Sequence, residues 1–256
     1  MSDWNPQEYL EFKTERTQPS LDLLARIRMV HPRSIIDVGC GPGNSTRVLH
    51  QRWPHAWIVG IDYSTAMIDQ ARHDYPDITW IVGDAVQLQT EDRYDLVFSN
   101  AALQWMPDHH VVIPKLFSFT TGRGALAVQV PADNTSALHQ AVLSVASRKE
   151  WSSYTSECAG QLNYRTSTYY YEILHQFTSN FDIWETTYFH VLDSRSDLID
   201  WYRSTGLRPF LESLPDAKSR LAFEEDVLSE CLDSYPVQSD GKVLFPFRRI
   251  FFIAYR

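Results

Sequence analysis

The residues best placed to do chemistry are consecutive: Asp37-Val38-Gly39-Cys40-Gly41-Pro42-Gly43-Asn44-Ser45, entered from the apolar pair Ile35-Ile36. This reads as a buried strand that turns sharply into a helix. Glycine lets the backbone approach a ligand, since no Cβ stands in the way. A strand, a Gly-rich turn and a helix N-terminus together make a nucleotide-binding corner. The spacing then selects among nucleotides. A dinucleotide corner is G-x-G-x-x-G and a triphosphate loop is G-x-x-x-x-G-K-[ST]. Here the glycines alternate, no Lys precedes Ser45, and Pro42 lacks the N–H that a phosphate cradle would use. The turn suits an adenosine that carries an amino-acid tail and no phosphates. The alternative is a Gly-rich turn without a ligand.

Such a corner needs strands and helices in alternation. Strands are expected at 34–38, 57–61, 78–82, 94–99 and 125–130, with helices at 44–51 and from Ser64 onward. Pro19 is expected to open a helix that runs to Ile27, and Asn5-Pro6 to open one before it. Strands that are apolar throughout are buried on both faces of a parallel sheet. Ligands then lie beyond the carboxyl ends of the strands. Those ends are polar: Asp62 can accept from both ribose hydroxyls, Asp84-Ala85 can meet the adenine amino group, and Asn100 ends the strand beside the Gly turn. Taken singly, Asp62 could be a helix cap and Asp84 a turn residue. Taken in order with D-V-G-C-G-P-G-N, they resemble the class I S-adenosylmethionine (SAM) methyltransferases. That resemblance implies an α/β, doubly wound, mostly parallel seven-stranded sheet of Rossmann-like form. It implies SAM as cofactor and S-adenosylhomocysteine as product. The contacts carried over are Asp37, Gly39, Cys40, Gly41, Gly43, Asn44, Asp62, Tyr63, Met67, Asp84, Ala85 and Asn100.

The second half has a different texture: helical over 135–147, irregular and Tyr-rich to 168, β-rich over 181–192, helical over 197–202 and 215–235, and a last strand over 243–255. The expected organisation is one domain over 1–256. Residues 1–28 would form a helical lid, 29–133 the SAM-binding half, and 134–180 and 195–240 a helical cap inserted around strand six.

The run Ser99-Asn100-Ala101-Ala102-Leu103-Gln104-Trp105 lacks the [DN]-P-P-[YF] of many methyltransferases that act on amino or amide nitrogen. No Asp/Asn/His set has the pattern of a metal site. Transfer to oxygen, carbon or sulfur without a metal is the expectation. D-W-N-P-x-x-Y-L-x-F-x-x-E-R over 3–16, L-H-Q-R-W-P over 49–54, A-x-L-Q-W-x-P-D-H over 101–109 and T-G-L-R-P over 205–209 resemble the trans-aconitate methyltransferases over nearly the whole chain. The resemblance implies methylation of one carboxylate of a small tricarboxylic acid. A carboxylate is already ionised at neutral pH and needs no general base. Its other carboxylates call for arginine, whose planar fork matches them. Candidate substrate contacts are Arg16, Tyr9, Trp105, Arg203 and Arg208. No catalytic group is assigned; Gln104, Trp105, Tyr170 and Tyr171 are candidates for positioning the nucleophile. Trp4, Tyr9 and Phe12 suit either a lid or plain packing.

Three other readings compete: a carboxyl methyltransferase for a malonyl thioester or another small acid, a carbon or sulfur methyltransferase for an apolar metabolite, and a non-catalytic SAM-binding regulator. Composition narrows the partners. The 256 residues carry 23 Lys+Arg against 32 Asp+Glu, a net charge of −9, which disfavours a nucleic-acid partner. Three scattered cysteines make no disulfide scaffold or metal spacing. No stretch is long and apolar enough for a membrane span, and the first residues lack the pattern of a secretory leader. The expectation is a cytoplasmic monomer acting on a small-molecule polycarboxylate, without nucleic acid or membrane.

Overall fold

The computed structural model describes residues 13–132 and 134–256. In chain order it contains α1 (Lys13–Arg26), β1 (Ser34–Val38), α2 (Asn44–Arg52), β2 (Trp57–Asp62), α3 (Thr65–Asp74), β3 (Thr79–Val82), β4 (Tyr94–Asn100), α4 (His109–Ser118) and β5 (Thr120–Pro131). There follow α5 (Ala137–Ala146), α6 (Ser152–Thr155), α7 (Ser167–Leu174), β6 (Phe181–Leu192), α8 (Asp197–Arg203), α9 (Arg208–Ser213), α10 (Ala217–Cys231) and β7 (Val243–Tyr255). Single 3₁₀ turns cover Leu103–Trp105 and Leu232–Ser234.

The strands form one sheet in the order β3-β2-β1-β4-β5-β7-β6. The pairings from β3 through β5 are all parallel, with Asp37 opposite Gly60 on one side and Phe98 on the other. β1 takes a central place because Ile35, Ile36 and Val38 are at most 1% exposed and can be covered on both faces. The chain reverses between β1 and β4, and the Gly turn leaves the sheet at that switch point.

The chain forms two compact units. Among the described residues, one holds 13–131, 165–186 and 250–256; the other holds 132, 134–164 and 187–249. In the first, Trp184 of β6 stacks on Phe251 of β7 at 5.0 Å. In the second, Ser144 of α5 and Arg148 just beyond its end both donate to Glu230 of α10, at 2.9 and 2.6 Å.

Several expectations need correction. Pro19 does not open a helix; it lies inside α1, which starts six residues earlier. Proline has no N–H for the preceding turn, and just beyond it the Ser20 hydroxyl donates to the Thr17 carbonyl at 2.7 Å. β5 begins at Thr120 rather than 125, and α4 and α9 were not foreseen. Pro114 inside α4 broke the sequence pattern, and α9 is a single six-residue element that begins at Arg208 inside the T-G-L-R-P segment. The expected first helix, with Trp4, Tyr9 and Phe12, lies outside the described residues.

Candidate active site

A cavity of about 470 Å³ opens at the carboxyl ends of β1, β2, β3 and β4. That volume suits a small-molecule site. Its walls include Gly39, Cys40, Gly41, Asn44, Asp62, Tyr63, Met67, Asp84, Ala85, Asn100, Trp105 and Arg16. All belong to the unit that contains the parallel strands.

The corner is shaped by close approach. Gly39 has φ +69°, and a Cβ there would lie 2.2 Å from the Cβ of Ala102. Gly39 and Cys40 both donate to the Ile61 carbonyl, at 2.8 and 3.1 Å, which ties the turn to the end of β2. The neighbouring Gly41 donates to Asp62 Oδ2 at 2.9 Å, while Ser64 donates to Oδ1 at 2.9 Å. The Asp62 carboxylate is thereby held in place at the cavity wall. Ser64 does cap α3, its hydroxyl accepting from Met67 N at 3.2 Å. Asp84 accepts from Val86 N at 2.8 Å, which closes an Asx turn at the end of β3. Lys115 of α4 donates to the Val86 carbonyl at 2.6 Å and holds the same loop from behind.

Asp37 does not line the cavity. It is 0% exposed, and its Oδ2 accepts from Ser45 and Thr46, each at 2.6 Å. Burial raises its pKa to about 6 against the pull of those two hydroxyls, with Asp62 raising it further. It reaches the cavity through Ser45, a wall residue, and is a positioning group. Gly43 also stands back from the cavity. A Cβ at this residue would meet the rings of Trp80 and Tyr75 at 2.8 and 2.9 Å, and its φ is +91°, so packing and backbone conformation together account for the third glycine.

Beyond β4 the chain is strained. Ala101 has φ 55°, unusual for a residue with a Cβ. Its N–H donates to the Gln129 carbonyl at 2.9 Å, and its carbonyl accepts from Gln104 Nε2 at 2.7 Å. Gln104 thus commits its Nε2 to the loop, its Oε1 stays buried without a partner among the described residues, and it is not a wall residue. The loop brings Trp105 into the wall.

The remaining sequence candidates lie elsewhere. Tyr170 is fully buried, with its hydroxyl on His109 Nδ1 at 3.1 Å. Tyr171 is 49% exposed and packs beside His175 and Phe181. Neither lines the cavity. Arg203 gives Nε and Nη2 to Glu224, at 2.6 and 3.1 Å, and Nη1 to Asp200 at 2.6 Å. Arg208 is buried and gives Nε to Glu212 at 2.9 Å. Both arginines belong to the unit of residues 132–164 and 187–249. Tyr9 lies outside the described residues. Sequence reasoning missed Ser45, Lys115 and the brace formed by Gln104. The D-x₇-S spacing from Asp37 to Ser45, with a helix opening at Asn44, was the signal for the first of these.

The walls fit SAM. Asn44 Nδ2 and Asn100 Oδ1 are buried and have no hydrogen-bond partner among the described residues, a donor and an acceptor of the kinds that a zwitterionic tail would satisfy. A Cβ on Gly41 would meet nothing within 4 Å. Space is therefore open above the turn while the backbone beneath it is packed.

This sheet order and this corner define a class I SAM-dependent methyltransferase. Residues 35–124 match the family model of a methyltransferase domain. Solved structures with the same fold include the YcgJ protein of Bacillus subtilis, at 11% identity and TM-score 0.59 over 93% of this chain and 98% of that one. Phosphoethanolamine N-methyltransferase 2 of Haemonchus contortus, solved with S-adenosyl-L-methionine, is 18% identical with TM-score 0.56 over 93% of this chain and 52% of that one. Among curated proteins, the trans-aconitate 2-methyltransferase of Shigella dysenteriae is 42% identical over 100% of this chain and 99% of its own. That of Yersinia pestis is 41% identical over the same shares. The chain belongs to the trans-aconitate 2-methyltransferase family.

Proposed function

We propose that this protein transfers the methyl group of SAM to one carboxylate of trans-aconitate and releases a monomethyl ester. One observation carries the reading beyond family membership: Arg16, 7% exposed, lines the same cavity as the nucleoside corner. A buried guanidinium in a small-molecule cavity selects a ligand rich in carboxylates. In this reading Asp62 takes the ribose hydroxyls, Asp84 and Ala85 meet the adenine, and Asn44, Asn100 and the Gly39–Gly41 backbone take the amino-acid tail. Bound there, SAM supplies an electrophilic methyl group on a sulfonium.

The chain's own residues then have three tasks. Arg16 holds a spectator carboxylate, and not the reacting one, whose nucleophilicity a bidentate clamp would lower. Trp105 forms a wall that excludes water from the nucleophile. The braced loop after β4 fixes the direction of approach. No general base is needed, because the nucleophile is ionised at neutral pH. We place it in the cytoplasm as a monomer acting on a small molecule; the net charge of −9 disfavours a nucleic-acid partner, and no helix among the described residues is long and apolar enough to cross a membrane.

The test is methyl transfer from labelled SAM across tricarboxylates, dicarboxylates and acyl thioesters. The expected result is a monomethyl ester of trans-aconitate. Product with thioesters alone would overturn the reading.

A further inference from the structure

α4 begins with a histidine that the transfer itself does not use. His109 is 1% exposed. Its Nε2 lies 2.7 Å from the Leu103 carbonyl and its Nδ1 3.1 Å from the Tyr170 hydroxyl. A carbonyl can only accept, so Nε2 carries the proton and Nδ1 accepts from the Tyr170 O–H. Tyr170 is itself 0% exposed; its ring lies against His109 at 5.8 Å and Phe252 at 5.4 Å. This arrangement admits one tautomer. Adding a proton at Nδ1 would turn that atom into a donor and strand the Tyr170 hydroxyl hydrogen inside the core.

The groups around His109 bear on the same point. Burial holds its pKa below the ordinary histidine value, and the Arg165 charge acts in the same direction. The Leu103 and Met106 carbonyls and Asp108 oppose them. Tyr169 lies edge-on to both His109 and His110, at 6.2 and 4.8 Å.

The other end of the contact is the loop of the cavity wall. Leu103 opens the 3₁₀ turn that delivers Trp105 and Met106 to the wall. Its carbonyl also accepts from Met106 N at 2.9 Å, and Trp105 N donates to Ala102 at 3.0 Å. The turn is entered through Ala101 in its left-handed conformation. A strained entry persists only when its surroundings over-determine it. Gln104 braces the near side, and His109 is placed to brace the far side.

We propose that His109 and Tyr170 are positioning residues of the methyl-transfer site. The Leu103 carbonyl selects the Nε2–H tautomer, the Tyr170 hydroxyl holds the ring in place through Nδ1, and the imidazole so anchored fixes the Leu103 carbonyl and with it the pose of Trp105 at the cavity wall. The proposal rests on the cavity being the transfer site, and it gives Tyr170 a role exerted from the core.

Tyr170→Phe removes one donor and almost no volume. His109→Gln keeps an N–H to offer to Leu103, whereas His109→Ala keeps neither bond. With trans-aconitate as acceptor, Tyr170→Phe should lower kcat about tenfold with the SAM Kd changed less than about twofold, since the corner that holds SAM is untouched. His109→Gln should retain more activity than His109→Ala. Two readouts need no substrate. Imidazole ¹⁵N shifts should show a single neutral Nε2–H tautomer in the wild type, and in Tyr170→Phe the same tautomer with the Nδ1 resonance moved by the loss of its donor. Amide exchange at Trp105 and Met106 should quicken in that variant. An Nδ1–H tautomer in the wild type, or unchanged exchange at both amides in Tyr170→Phe, would overturn the proposal, as would unchanged kcat. A wild-type chain that fails to methylate trans-aconitate overturns the substrate reading instead, and leaves the tautomer and exchange measurements to decide this one.

Discussion

Gly39 and Gly41 lie two residues apart in one turn, yet a methyl group would cost them differently. Both have positive φ, but only at Gly39 would the added Cβ collide, with Ala102 at 2.2 Å. Gly41→Ala should cost about 1–2 kcal/mol of backbone strain. Gly39→Ala should cost roughly 3 kcal/mol or more and abolish SAM binding. Urea unfolding and calorimetric titration with SAM check both. Arg16→Ala should raise KM for trans-aconitate about 10- to 100-fold, with partial recovery in Arg16→Lys, which restores charge but not the fork. Steady-state kinetics with the acid varied at saturating SAM measures this. Arg203→Ala strips the partner from Glu224, whose side chain is 10% exposed, and should destabilise the fold by roughly 1–3 kcal/mol. Single residues with a local signature were legible: the Gly spacing, the Ser64 cap and the acids at strand ends. Arg203 was not legible as an ion-pair residue, because Glu224 stands 21 positions away on another helix.

At the scale of elements, the junction of β1 with α2 is held by Asp37 and the hydroxyls of Ser45 and Thr46. An unfolded Asp titrates near 3.8, and this one near 6. Between those values the native chain keeps a proton that the unfolded chain has lost. Stability therefore falls as pH rises from about 4 to about 6 and is level above that. The stability of the wild type relative to Asp37→Asn should drop by about 3 kcal/mol across that window, read from urea midpoints at pH 4, 5, 6 and 7. A difference independent of pH would refute the assignment. The strands were legible here because a central parallel strand is apolar throughout and bounded by Gly and Asp. Helix starts were less so: α1 and α4 each carry a proline inside, and a proline in sequence reads as a boundary.

Across the whole molecule, the unit of residues 132–164 and 187–249 contains two histidines that its own packing keeps neutral. His139 bonds Tyr202 at 3.0 Å, and His190 packs on Trp201 at 4.3 Å. Burial lowers each to about 4, and Arg249 adds to the effect at His190. The sign is opposite to that of Asp37. Unfolded imidazoles take up protons near 6.5, so stability present above that pH is lost as pH falls toward 4. The double variant His139→Gln/His190→Gln should lose less stability than the wild type between pH 7 and 4.5 by urea unfolding. The periodicity of β6 and α10 was readable in sequence, but the division of the chain at 164/165 and 186/187 was not. It depends on which long-range contacts form, and no local pattern encodes those.

The Cys40 thiol lies 4% exposed within the corner, packed with Ile68, Ala71 and Trp80. Burial and the charges of Asp37 and Asp62 all push it away from the thiolate. An unsaturated polycarboxylate of the kind proposed for this cavity is a conjugate acceptor, and thiolates add to its carbon–carbon double bond. By keeping its sulfur protonated, the cofactor corner is shielded from alkylation by its own substrate, and a long incubation with that acid should leave the protein's mass unchanged.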